Sequence, residues 1–305
     1  MKKKDVLGVL DFTPEEIQRV MTIAIADKKS KNRTQVLKGK TVALLFDKPS
    51  LRTRVSFELA VQQLGGYSIY MGKDEVGLGK REPVKDVAKV LSRWVDCIVA
   101  RVFSHETLLE LAEYSTVPII NALSDWEHPC QAFADILTIT EKKGQLSNVK
   151  IAYIGDFNNV ARSLVKACLS MDYHISLASP LGYGIDNETL KRVQHLTQKK
   201  GKLIQTEEPL VAVENADIIY TDVWISMGEE NLKESKIKDF QGFTIDKSIL
   251  ERAKPDVNIM HPMPVHYGEE ISASIADISG WSLIDQADNR LYAQKGVLKL
   301  LSCVL

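Results

Sequence analysis

Short apolar runs alternate with segments of helical periodicity along the whole chain. "TVALLF" precedes "RTRVSFELAVQQLGG", "YSIYM" precedes "VKDVAKVLSRW", and "DCIVARV" precedes "HETLLELAEYS". "VPIINAL" then leads into "PCQAFADILTITEKKG", a long helical pattern ending near Gly144. The rhythm restarts with "KIAYIGD", "VARSLVKACLSM", "HISLAS" and "NETLKRVQHLTQKKG", and continues through "LIQT", "LVAVENA", "DIIYTDVW" and "NIMHPMP". Strands alternating with helices predict α/β layers around parallel sheets. The restart predicts two doubly wound domains, residues 1–138 and 139–287, joined within 138–149. Ahead of them "DFTPEEIQRVMTIAIADKK" opens a helix: Thr13 caps it, Pro14 suits its first position and Glu16 completes a capping box. A last helical pattern, "NRLYAQKGVLKLLSCVL", is compatible with either domain.

In open parallel sheets, ligands bind beyond the carboxyl ends of strands, where the strand order reverses. The residues that follow each apolar run are therefore the candidates. They are Ser50–Arg54 after the first strand, Arg101 after "CIVA", and His128 and Gln131 beyond "VPIINAL". In the second half they are Asn158 and Asn159, Asp222, and His261. The set is cationic at the front and bears amides and carboxylates at the back, which predicts one cleft between the two domains.

Bulk composition narrows the partners. With 45% hydrophobic and 26% charged residues, the chain reads as a soluble globular protein. Lys+Arg 39 against Asp+Glu 40 leaves a formal charge of −1, so there is no footprint for nucleic acid or an anionic membrane. Any bound anion must be held by a local cluster. Cys97, Cys130, Cys168 and Cys303 show no paired spacing, which predicts free thiols in a reducing compartment. The opening "MKKKDVLGVLDF" has too short an apolar part for a signal peptide, and no run approaches the roughly 18 apolar residues of a membrane span. A cytoplasmic location is expected.

"DKPSLRTRVSFELA" is the richest stretch. A helix start offers unpaired N–H groups and a partial positive charge, and Ser50, Arg52 and Thr53 add donors suited to a phosphate. Taken alone, the stretch is also explained by Ser50 as a simple cap beside solvated arginines. It is not a Walker loop, since GxxxxGK[ST] is missing. "GDFNNVARS" carries only Gly155 of a dinucleotide fingerprint, so a nicotinamide cofactor is not expected. Neither HExxH nor GxSxG occurs, and no metal is expected.

With these residues gathered, the chain resembles the aspartate/ornithine carbamoyltransferase family, and within it the ornithine-using branch. "SLRTR" resembles the family's phosphate loop, "HPCQAFADILT" its His-Pro-x-Gln segment and "GDFNNVARSL" its Asp-x-Asn-Asn segment. "TDVWISMGEE" is similar to the ornithine signature and "IMHPMPVHYGEEIS" to the His-Cys-Leu-Pro loop. The resemblance implies transfer of the carbamoyl group of carbamoyl phosphate to the δ-amine of ornithine, without a cofactor. That reaction belongs to arginine metabolism, with citrulline formed in biosynthesis or consumed in breakdown. Ser50, Leu51, Arg52 and Thr53 would hold the phosphate, Leu51 through its backbone. Arg101, His128 and Thr53 would clamp the carbonyl oxygen, Gln131 would fix the amide, and Arg290 would complete that site. The last role implies that the terminal helix, about residues 288–305, packs back on the first domain. Asn159, Asp222, Ser226 and Met227 would grip the amino-acid end of ornithine, with Pro262 and Met263 contributing backbone carbonyls. The departing phosphate would take the amine proton. Trp126 and Trp224 read as packing residues.

Three positions depart from the family pattern. Pro262-Met263 replaces Cys-Leu, so that "HPMP" resembles the aspartate branch; a cis Met263–Pro264 bond is implied. Leu51 removes a hydroxyl from the phosphate loop. Gly77 stands where the family has Gln or Ser in a loop that reaches a neighbouring subunit, and there Lys80 or Arg81 would make the contact. A homotrimer, or a multiple of trimers, is implied. The alternatives are a carbamoyltransferase for another amine, aspartate or an ornithine relative, and a non-catalytic anion-binding subunit.

Overall fold

Residues 4–30, 34–144, 148–197, 202–226, 228–276 and 280–302 are described by the computed structural model of the chain. It divides into two compact units, Met1–Leu137 with Asp288–Leu305, and Thr138–Ala287.

The first unit is built on strands β1 (Thr41–Phe46), β2 (Tyr67–Gly72), β3 (Cys97–Arg101) and β4 (Ile119–Leu123), all parallel, in the order β2-β1-β3-β4. β3 and β4 are buried throughout and β1 almost throughout, as sheets covered on both faces require. β2 lies at the edge with Tyr67 and Ile69 exposed. Val84, Val87 and Ala88 of one helix join Leu108 and Leu111 of another beneath Ala43, Leu45, Ile98 and Ala100. The first long helix, Pro14–Lys29, has the expected capping box: Glu16 N donates to Thr13 Oγ1 (3.2 Å) and Thr13 N to Glu16 Oε2 (2.9 Å).

The second unit carries β5 (Lys150–Ile154), β6 (His174–Ala178), β7 (Leu203–Thr206), β8 (Ile218–Tyr220) and β9 (Asn258–Met260). They are parallel in the order β7-β6-β5-β8-β9. Its core packs Ile154, Ile219 and Ile259 against Phe240, Ile245 and Ile249. Trp224 stacks on Phe240 at 5.4 Å, consistent with a packing role.

Both orders reverse at their centres. In the first unit the chain moves outward from β1 to β2 on one side and from β3 to β4 on the other. The β1/β3 boundary is therefore its switch point, where Phe46 pairs with Arg101. In the second unit the switch point is β5/β8, where Tyr153 pairs with Tyr220. The terminal helix, Leu283–Leu301, starts earlier than its apolar pattern suggested. Gln286 N donates to Ser282 O, and the polar first turn forms because the backbone bond and a buried Gln286 stabilise it. Among the described residues no helix is long and apolar enough to cross a membrane.

Candidate functional site

At the β1/β3 switch point, Ser50 caps the helix Leu51–Gln63, its side chain accepting from Thr53 N at 3.2 Å. The capping reading of Ser50 is thus correct, and it leaves the hydroxyl hydrogen free to donate elsewhere. Thr53 sits in the first turn and is fully buried. Its hydroxyl accepts from Arg290 Nη2 at 2.6 Å and lies 3.5 Å from Arg101 Nη1. Arg101 and Arg290 are both buried. Two buried guanidiniums thus converge on one neutral hydroxyl oxygen.

His128 and Gln131 join them from the β4 side. Asn121 in the middle of β4 donates to Glu127 O (3.2 Å) and Ser124 Oγ (3.3 Å), fixing the turn that delivers His128 to the start of the helix Pro129–Lys143. Gln131 is buried and donates to Asp135 Oδ1 at 2.9 Å, while its Oε1 has no partner among the described residues. Burial, then the charges of Arg290 and Arg52, pull Arg101 down to about 9. Burial, then Arg290, Arg101 and Lys48, hold His128 well below its ordinary range, so its imidazole is neutral at pH 7. The cause is the same in both: burial first, with neighbouring cations adding to it. Lys48 was not singled out from the sequence, although it lies two residues before the phosphate-loop pattern.

The two departures in this unit have simple settings. Leu51 projects outward, with 75% of its surface exposed. Gly77 ends a short helix, Lys73–Val76, in the left-handed region (φ 61°), and receives hydrogen bonds from Lys80 N and Arg81 N at its carbonyl. Lys80 and Arg81 are exposed.

At the β5/β8 switch point, Asn158 caps the helix Asn159–Ser170 through Oδ1 and donates from Nδ2 to Asp222 Oδ2 at 2.8 Å. Asp222 Oδ1 accepts from Val223 N at 2.8 Å. Asp222 is buried, and that burial raises its carboxyl above the usual range. Asn159 and Ser226 are half-buried beside it in sequence and strand order, whereas Met227 lies outside the described residues.

After β9, Met263 N donates to His261 Nδ1 at 2.8 Å, so Nε2 carries the ring hydrogen and donates to Glu270 Oε1 at 3.1 Å. His261 N in turn donates to Gln286 Oε1 at 2.8 Å. This holds the Pro262-Met263 turn, with Met263 at φ 59° and a cis Met263–Pro264 bond as implied. His266, Glu269 and Glu270 place ligand atoms within 4.8 Å of one another, but the Lys233 ammonium, 3.4 Å from Glu269 Oε1, already answers that negative charge.

A third group escaped sequence reasoning. Lys236, 3% exposed, donates to Asp156 Oδ2 (2.6 Å) and Glu229 Oε2 (2.7 Å), and Glu229 Oε2 also accepts from Ser226 N (3.1 Å). Its surroundings, "KESKIKD", read as a solvated helix face. Only the acid after "IAYIG" hinted at a partner.

Two family models match the chain in succession. Residues 4–141 match the family model for the aspartate/ornithine carbamoyltransferase carbamoyl-P binding domain, and residues 147–301 match that for the Asp/Orn binding domain. The chain is 47% identical over 305 residues to the ornithine carbamoyltransferase of Halalkalibacterium halodurans, which covers 99% of this chain and 96% of that relative. Among solved structures it resembles ornithine carbamoyltransferase from Pyrococcus furiosus, with a TM-score of 0.93 and 44% identity over 97% of this chain and 96% of the other. An N-acetyl-L-ornithine transcarbamylase is less similar, at 27% identity and a TM-score of 0.87, covering 98% of this chain and 99% of the other.

Proposed function

The chain belongs to the aspartate/ornithine carbamoyltransferase family, and we propose that it transfers the carbamoyl group of carbamoyl phosphate to the δ-amine of ornithine, giving citrulline and phosphate. The observation that carries this reading is the convergence of Arg101 and Arg290 on Thr53 beside a neutral, buried His128. A dianion there would replace mutual repulsion with charge-assisted hydrogen bonds.

In the proposed mechanism, Ser50, Arg52, Thr53 and the N–H groups of the first helical turn hold the phosphate. Leu51 takes part through its backbone, which fits a side chain turned to solvent. Arg101, Thr53 and His128 face the carbonyl oxygen, where negative charge develops as nitrogen attacks. A neutral imidazole whose N–H faced that oxygen would serve the role without needing to titrate. The buried Gln131 Oε1, lacking a partner, suits an N–H of the carbamoyl amide. The C–N bond forms, the C–O bond to phosphate breaks, and the departing phosphate accepts the amine proton. No side-chain base is therefore required.

Asp222 would face the α-ammonium of ornithine, with Asn159, Ser226 and Met227 at its carboxylate end. The carbonyls of Pro262 and Met263 would accept from the substrate, a role in which replacement of Cys-Leu is tolerated because proline keeps its C=O. The much lower identity to the N-acetylornithine enzyme weighs against another amine. We also propose a cytoplasmic location and assembly as a homotrimer or a multiple of trimers. Buried free thiols at Cys97, Cys130 and Cys168 support a reducing compartment. An exposed apolar stripe of Leu51, Val55 and Leu59 beside Tyr67 and Ile69 of edge strand β2 supports an interface, with Gly77, Lys80 and Arg81 in a loop serving the neighbouring site.

The test is a colorimetric ureido assay with carbamoyl phosphate and, in parallel, ornithine, putrescine, lysine and aspartate. Citrulline from ornithine alone is expected. Turnover with another amine would overturn the ornithine half of the reading. Silence with all four, despite stabilisation by phosphate, would identify a non-catalytic anion-binding subunit.

A further inference from the structure

Lysine is rarely buried unless its charge is matched, and Lys236 is buried with two carboxylates on it. One of them, Asp156, stands two residues past β5, and its carbonyl accepts from Tyr153 Oη at 2.8 Å, so it is tied to the sheet. The other, Glu229, belongs to the turn that follows Asp222. Its Oε2 receives the Ser226 N–H and the Lys236 ammonium together, and Glu229 N closes the turn on Ser226 O at 3.0 Å. The ammonium bridges the end of β5 to the turn that follows Asp222. Val223, Ile225 and Ser226 of that loop line a cavity of about 350 Å³.

We propose that Lys236 is a positioning residue for the amino-acid substrate: by clamping Glu229 to Asp156 it holds Ser226, whose N–H Glu229 accepts, in the position that binds the α-carboxylate end of ornithine. In this scheme Lys236 acts through two protein carboxylates and not on the substrate directly. The proposal rests on the ornithine reading above and goes beyond it by naming what sets affinity for that substrate alone. Because misplacing a binding group by about 1 Å can cost on the order of 100-fold, loss of the clamp should be large and selective.

The experiment compares wild type, Lys236→Met, Lys236→Arg and Glu229→Gln by steady-state kinetics in both substrates, with circular dichroism to verify folding. Lys236→Met should raise the KM for ornithine roughly 10- to 100-fold while leaving the KM for carbamoyl phosphate within about twofold. Glu229→Gln should move the same constant in the same direction, and Lys236→Arg, which keeps the charge and reach, should restore most of it. If Lys236→Met fails to fold, Glu229→Gln and Lys236→Arg decide. An unchanged KM for ornithine in a folded variant, or equal losses for both substrates, would overturn the clamp. A wild type that makes no citrulline would instead overturn the ornithine reading, so the two failures are distinguishable.

Discussion

At the scale of single residues, Thr53 bears more than its size suggests. Its oxygen is the shared acceptor of two buried guanidiniums, and Arg290 reaches it across 237 positions of sequence. Thr53→Val keeps the shape and removes the oxygen. We expect kcat/KM for carbamoyl phosphate to fall about 100-fold, as for loss of one oxyanion-stabilising group. Thermal stability should fall by about 1–3 kcal/mol, the cost of leaving a buried donor unmatched. His128 makes a separate prediction. Its folded value is depressed, so the unfolded chain takes up a proton near its ordinary value of about 6.5 while the folded chain does not. Its contribution to stability is present above that value and is lost as pH falls below it. Chemical denaturation between pH 7 and pH 5 should show a decline of up to about 1.4 kcal/mol per pH unit from this group, and His128→Gln should remove that slope.

At the scale of elements, function follows from strand order. Each sheet reverses direction once, and each reversal gathers chain segments far apart in sequence: Thr53 with Arg101, Asn158 with Asp222. The loop Lys73–Glu82 depends instead on local backbone. A Cβ at Gly77 would stand 2.7 Å from Arg81 Cβ, and φ is 61°. Gly77→Ala should destabilise the protein by about 1 kcal/mol, readable as a lowered Tm. Much of this organisation was legible beforehand. The α/β class, the capped helix at Pro14 and the polar residues after β1, β3, β5, β8 and β9 follow from periodicity and cap chemistry. Lys236 was not legible, because its partners lie 80 and 7 residues away and nothing in "KESKIKD" marks one lysine as buried. The single-turn helix Pro209–Ala212 within "PLVAVENA" was equally hidden: an apolar run has no length of its own until neighbours cover it.

At the scale of the whole molecule, the first unit leaves apolar surface uncovered. Leu51, Val55 and Leu59 recur at helical spacing along one face, and Trp94 is 74% exposed elsewhere on the same unit. If the stripe is the trimer interface, light scattering should give three times the 34.1 kDa chain mass, and Val55→Glu should shift it toward one. A wild-type monomer would contradict the proposed assembly. The first unit also has an unusual history. Thr53 and Arg101 emerge early in translation, whereas their partner Arg290 follows only after residues 138–287 have been made. At roughly 5–20 residues per second this interval is on the order of ten seconds. During it the nascent first unit lacks both its closing helix and one of its two convergent guanidiniums, so a growing chain cannot assemble the complete phosphate pocket before its second unit exists.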